Sequence, residues 1–226
     1  PLFVLGFPRT GTTILQNLLA QEPSRRTLEF WELTRPVPTH PDLETDRAAR
    51  IKTSRADLNI VYRCVPEMRQ MHEVTPTSSE ECWPLFSLSF SALNMDISTG
   101  LRRYGDWLLE QDMTWAYREY RERLQMLLHR LPADQLVLKC PEHLWFLDAL
   151  LEVFPDARLI FTHRDPKQFV ASAASLAWNQ QIIYSDHCDA ARTGREWLGK
   201  TATMIERMRS SRDLIPANRM IDIQYE

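Results

Sequence analysis

Three short apolar runs, Leu2 to Phe7, Leu136 to Leu138 and Arg158 to Thr162, have the length and residue types of buried strands. Each is followed by a stretch with helical spacing, so the chain reads as repeated strand–helix units feeding a parallel sheet. After the second run, Leu144, Leu147, Leu151 and Phe154 recur on one helical face, and Pro155 ends the pattern. A fourth strand is expected at Met220 to Ile223. Over a hundred residues separate the first two strands, too many for one crossover. Asp46 to Tyr62 and Asp112 to Leu131 read as helices within that span. The second places Tyr117, Tyr120, Leu124, Leu127, Leu128 and Leu131 on one face, with Glu119 and Arg123 paired on another. The proline-rich segment Arg35 to Pro41 reads as an ordered loop.

The junction after the first strand carries the sharpest chemical signal. Gly6 and Gly11 stand five apart and are followed by Thr12-Thr13 and the amphipathic run Ile14, Leu15, Leu18, Leu19. Strand, glycine-bounded turn and helix start is the arrangement of a phosphate-binding loop, in which backbone N–H groups face an anion. A nucleotide hydrolase has lysine after the second glycine; here that position is Thr12, and the cation comes earlier, at Arg9. Without that lysine the loop suits one phosphate-like group, through N–H groups and the hydroxyls of Thr10, Thr12 and Thr13, better than triphosphate hydrolysis. The bland alternative is a strand–turn–helix unit with ordinary threonine capping. The expected fold is α/β, a three-layer P-loop-type fold with a central parallel β-sheet flanked by helices and a helical insertion after the first strand–helix unit.

Composition narrows the class without naming it. With 226 residues, 44% hydrophobic and 25% charged, the chain has the balance of a globular protein with a sizeable core. A net charge of −3 gives no general nucleic-acid footprint. Cys64, Cys82, Cys140 and Cys188 lie far apart with no ligand pair at zinc spacing, so we read them as free thiols in a reducing compartment and assign no metal ligand. The expected location is cytoplasmic, since no apolar run is long enough to span a bilayer. The chain begins at Pro1, which leaves a trimmed leader or anchor open.

A second anion position follows the third strand. Asp165-Pro166 is a helix start, with aspartate as N-cap and proline at the first helical position. Arg164 stands just before it, at the same sheet edge as the Gly6–Thr13 loop, and Ser172 lies eight residues further on. Two anion positions on one edge suit a ligand with two separated phosphate-like groups. Here the sequence resembles the sulfotransferases that use 3′-phosphoadenosine-5′-phosphosulfate (PAPS). Phe7-Pro8-Arg9-Thr10-Gly11-Thr12-Thr13 is similar to their 5′-phosphosulfate loop, with Arg9 where many members carry lysine. Arg164 and Ser172 match the pair that holds the 3′-phosphate. Leu138-Lys139-Cys140-Pro141-Glu142-His143-Leu144 and Trp31-Glu32-Leu33 resemble motifs of the bacterial-type branch, which usually has serine where Cys140 stands.

The resemblance implies PAPS as co-substrate, no metal, and a small-molecule, lipid or carbohydrate acceptor sulfated on a hydroxyl or, less readily, an amine. It casts residues 1–226 as a single sulfotransferase-like α/β domain lacking its C-terminal segment, because family members continue past the last strand. Pro8, Arg9, Thr10, Gly11, Thr12 and Thr13 would bind the 5′ end of the nucleotide, and Arg164 and Ser172 the 3′-phosphate. Lys139 would approach the bridging oxygen or the sulfonate. Glu32 is the first choice of base, in a pocket beside Phe30 and Trp31 that raises its pKa. His143 and Glu29 are its rivals. The pairs His72-Glu73 and Glu80-Glu81 fit an acceptor pocket, but Ser78-Ser79 before Glu80-Glu81 favours an acidic helix N-terminus. Two other readings stay open: a P-loop kinase or hydrolase, and an inactive nucleotide-binding module.

Overall fold

The computed structural model describes residues 1–225 and is built on a five-stranded, wholly parallel sheet. Its strands are β1 (Leu2–Gly6), β2 (Arg25–Arg26), β3 (Gln135–Lys139), β4 (Arg158–His163) and β5 (Met220–Gln224), in the order β2-β3-β1-β4-β5. β1 lies at the centre, with Leu2 opposite Val137 on one side and Arg158 on the other. The chain leaves β1 to one side to form β3 and then returns to the other side as β4. That reversal opens a crevice at the carboxyl ends of the strands, the position where open α/β sheets bind ligands. β2 escaped the sequence pattern because it is two arginines at an edge, with no apolar alternation to mark it.

Alternation along β1 divides the core. Phe3 and Leu5 face a large cluster with Leu136, Leu138, Leu159 and Phe161, while Leu2, Val4, Val137 and Ile160 form a small one on the opposite face. Helix α1 (Thr12–Leu19) covers the small cluster with Leu15 and Leu19. The expected stripe is only half right, because Ile14 and Leu18 point outward. Between α1 and β3 lies the anticipated helical insertion: α2 (Phe30–Thr34), α3 (Leu43–Cys64), α4 (Met68–Met71), α5 (Trp83–Ser87), α6 (Asn94–Thr99), α7 (Arg102–Leu109) and α8 (Thr114–Arg130). Tyr117, Tyr120, Leu124 and Leu127 of α8 are buried on its predicted face.

After β3 the helical run is broken. A short 3-10 turn at Pro141–Leu144, with the proline in its first turn, precedes α9 (Leu147–Val153). Asp165 caps α10 (Pro166–Gln181), accepting from Lys167 N at 2.9 Å. Helix α11 (Ala190–Arg212) was not singled out by the sequence pattern: its buried stripe, Thr193, Trp197, Thr201, Met204 and Met208, includes two threonines and sits among charged residues. All four cysteines are free. No helix among the described residues is long and apolar enough to cross a membrane.

Candidate active site

The loop after β1 is held in shape from below. A Cβ at Gly6 would stand 2.0 Å from Thr162 Oγ1, so only glycine lets β4 come this close. Thr10 is fully buried, its Oγ1 donating to Phe7 O at 2.7 Å and meeting Thr162 Oγ1 at 2.7 Å. Its hydroxyl therefore braces the loop, which corrects the expectation that it serves a ligand. Arg9 (φ 70°) and Gly11 (φ 80°) both take left-handed backbone, a strained state for arginine. The loop leaves the N–H groups of Thr10 through Ile14 without an acceptor among the described residues; the first helical bond runs from Leu15 N to Gly11 O. Five consecutive free donors at a helix start form a nest for an oxyanion.

Arg164 reaches the same place from β4. Its Nη1 donates to Arg9 O at 2.8 Å and its Nε to Gln168 Oε1 at 3.0 Å. The Tyr225 ring packs on Gly11, where a Cβ would meet it at 2.4 Å, and under the Arg164 guanidinium at 5.2 Å. Ser172 lies two turns into α10, partly exposed. The two anion positions read from sequence thus share one edge of the sheet.

Beside the loop opens a cleft lined by Arg9, Thr12 and Thr13 on one side and by Phe30, Trp83, Trp145 and Trp197 on others. Behind Glu81 and Thr13, which line it, Lys139 is fully buried, with Nζ 3.0 Å from Glu81 Oε1 and 3.4 Å from Thr13 Oγ1. Burial alone would pull the Lys139 pKa down; the Glu81 and Glu80 carboxylates outweigh it and hold the ammonium charged. His72 donates to Glu80 across 3.0 Å, and that bond lifts the imidazole pKa above its ordinary value. Burial pushes Glu80 up, but His72 and Lys139 prevail and leave it below the usual range.

Glu80 and Glu81 do not cap a helix, as the sequence suggested: α5 begins only at Trp83, and both carboxylates line the cleft. The serines before them turn elsewhere, Ser78 closing a turn on Thr75 and Ser79 bonding Thr27. The three candidate bases also fall differently. On α2, Phe30 faces the cleft, so Glu32 lies about 200° further round the helix and faces away. Burial raises its pKa as expected, yet its carboxylate pairs with Arg26 and accepts from Glu29 N at 3.0 Å. Glu29 is the N-cap of the same helix and bonds Trp31 Nε1. His143 is fully buried among Phe3, Phe86, Tyr117 and Tyr120, with Nδ1 2.8 Å from Tyr117 Oη, and burial pushes its pKa down to about 3. It is a core histidine.

The neighbouring Glu142 lines the cleft instead. It accepts from Leu93 N at 3.0 Å and from Asn94 N, and burial pushes its pKa up to about 8 against those two bonds. Sequence reasoning quoted Glu142 within a motif without giving it a role, and set Glu81 aside in favour of a helix N-terminus after naming it for an acceptor pocket. Glu81 stands next to the buried Cys82, whose N–H donates to Lys139 O at 3.1 Å and so carries the acid to the lysine.

Residues 1–226 match the profile of the Sulfotransferase family. The omega-hydroxy-beta-dihydromenaquinone-9 sulfotransferases Stf3 of Mycobacterium bovis and Mycobacterium tuberculosis are 26% identical over 237 aligned residues, covering 100% of this chain and 58% of theirs. The crystal structure of sulfotransferase STF1 from M. tuberculosis H37Rv superposes with a TM-score of 0.86 at 31% identity, covering 100% of this chain and 62% of that one. For STF9 from Mycobacterium avium the values are 0.83 and 31%, with 100% and 58% covered. The chain therefore spans little more than half the length of the curated relatives it matches.

Proposed function

The chain belongs to the sulfotransferase family, and on that premise we propose that it transfers a sulfuryl group from PAPS to a hydroxyl of a small-molecule or lipid acceptor. The observation that carries this reading is the convergence of the free N–H groups of Thr10 to Ile14, Arg164 and the buried Lys139–Glu81 pair on one crevice. When bound, PAPS supplies the activated sulfuryl group.

The chain's own residues do the rest. The loop N–H groups and Arg9 hold the 5′ end, in the manner of a P-loop. Arg164 and Ser172 hold the 3′-phosphate, the arginine through a charge-assisted fork. Lys139, with its charge kept by two carboxylates, stabilises negative charge that develops on departing oxygens. Glu81 accepts the proton of the acceptor hydroxyl at a carboxylate oxygen; it replaces Glu32, which is turned away from the cleft.

The test is calorimetric titration of the full-length protein with 3′-phosphoadenosine 5′-phosphate, adenosine 5′-monophosphate and ATP. We expect the 3′-phosphorylated ligand to bind about tenfold tighter or more, a preference of at least about 1.4 kcal/mol that Arg164→Ala removes. Equal binding of all three, or ATP turnover with magnesium, would overturn the reading.

A further inference from the structure

The cleft continues past the reacting groups along α10. Ala173, Leu176, Ala177 and Gln180 all line it, so one face of the helix forms the wall. The helix starts beside Arg164, and its Phe169 stacks on Phe7 of the loop with ring centroids 4.9 Å apart. Ala173 lies midway along the helix, and Gln180, seven residues further from the anion positions, is about 10 Å beyond it. The wall between them is apolar.

At Gln180 the character changes. Ser98 Oγ sits 2.8 Å from Asn94 Oδ1 and 3.0 Å from Gln180 Oε1, and both amides line the cleft. A hydroxyl carries one hydrogen, so Ser98 donates to one amide oxygen, and the other amide meets Ser98 with its NH2 turned inward. The cleft is then shown one NH2 donor and one carbonyl acceptor side by side. Neither has another side-chain or backbone partner among the described residues. The frame behind them is rigid. Glu142 takes the backbone N–H of Asn94 at the start of α6, Gln181 Nε2 donates to Ile97 O at 3.1 Å, and Lys200 pairs with Asp96 at 2.8 Å.

We propose that Asn94 and Gln180, oriented by Ser98, form a second polar subsite that reads a second hydroxyl carried by the acceptor, beyond the apolar stretch of wall that Ala173, Leu176 and Ala177 give the cleft. A hydroxyl both donates and accepts, so it satisfies the pair, whereas an alkyl end leaves both amides desolvated and unpaired. The acceptor class is an elongated apolar molecule with a hydroxyl at each end. This rests on the sulfotransferase reading above, which supplies the reacting end.

The experiment compares three probes: the α,ω-diol of decane, decanol, and decanol carrying a methyl ether at its far end. Each is titrated calorimetrically into the full-length protein with and without 3′-phosphoadenosine 5′-phosphate, and each is offered as acceptor with PAPS. The diol is expected to surpass decanol by about tenfold or more in affinity and in kcat/KM, with the ether between them. Gln180→Leu is expected to bring the diol-to-decanol ratio close to one at unchanged nucleotide affinity, which also reports folding; Ser98→Ala is expected to reduce the ratio partway. A ratio near one in the unaltered protein, or a full ratio kept in Gln180→Leu, overturns the subsite. Failure of the nucleotide to bind would instead remove the sulfotransferase reading, and the diol ratio measured without nucleotide would still decide the subsite.

Discussion

Glu32 and Glu81 divide between them what one carboxylate was expected to do. Glu32 has the burial and the raised pKa but faces Arg26; Glu81 has the lysine and the cleft. Glu81→Gln is expected to lower kcat by about 10²- to 10⁴-fold at nearly unchanged affinity for 3′-phosphoadenosine 5′-phosphate, measured by turnover and calorimetry. Glu32→Ala should behave in the opposite way. It removes a cap and leaves Arg26 without its partner, costing about 1–3 kcal/mol in denaturant unfolding while turnover persists. Sequence alone favoured Glu32, which stands beside Phe30 and Trp31, over Glu81, which stands between Glu80 and Cys82. What decides is which side of a five-residue helix Phe30 takes, and that is set by packing against distant elements. The shape of the Gly6–Thr13 loop was legible for the opposite reason. Its chemistry resides in consecutive residues, and Gly11 at φ 80° needs no remote contact to declare itself.

At the scale of elements, the 3-10 turn Pro141–Leu144 puts successive residues to different uses. Pro141 and Glu142 border the cleft while His143 points into the core. An imidazole held neutral there makes the fold acid-sensitive. Its pKa falls from 6.5 to about 3 on folding, so the unfolded chain binds the proton more readily. Its contribution is therefore present above about pH 6.5 and is lost as pH falls toward 3, with a slope of up to about 1.4 kcal/mol per pH unit. We expect His143→Phe to flatten that limb of the stability–pH curve, and the His143 ring to show no NMR titration between pH 8 and 5. Long apolar stripes such as α8 were readable from the 3.6-residue period. Two-residue β2 and the polar-edged α11 were not, since neither concentrates apolar residues at a spacing that stands out.

At the scale of the molecule, the helical insertion and the two helices after β4 meet through a buried charge. Asp96 on α6 is fully buried with Lys200 of α11 at 2.8 Å, and Gly105 of α7 packs so close that a Cβ would stand 1.9 Å from Asp96 Oδ2. Lys200→Met, which strands the carboxylate, is expected to cost about 3–5 kcal/mol by denaturant unfolding, and Gly105→Ala to destabilise by forcing the same contact apart. If Asp96→Leu in the Lys200→Met background recovers none of that loss, the pair is not what joins these layers. The strand order was only partly foreseeable. Parallel units followed from the spacing of apolar runs, but their arrangement around β1 depends on contacts that no local pattern encodes.

The hydrogen bond from Arg164 to the carbonyl of Arg9 has a thermodynamic meaning beyond its geometry. One guanidinium serves the position assigned to the 3′-phosphate and also grips the backbone of the loop assigned to the 5′ end. Any anion that turns Arg164 toward itself changes the restraint on that loop, and any anion that sets the loop changes the carbonyl Arg164 holds. By linkage, the occupancy of either position alters the affinity of the other by one and the same factor. Adenosine 5′-monophosphate and inorganic phosphate should therefore bind with mutual heterotropic coupling, and Arg164→Ala should make their binding free energies independent.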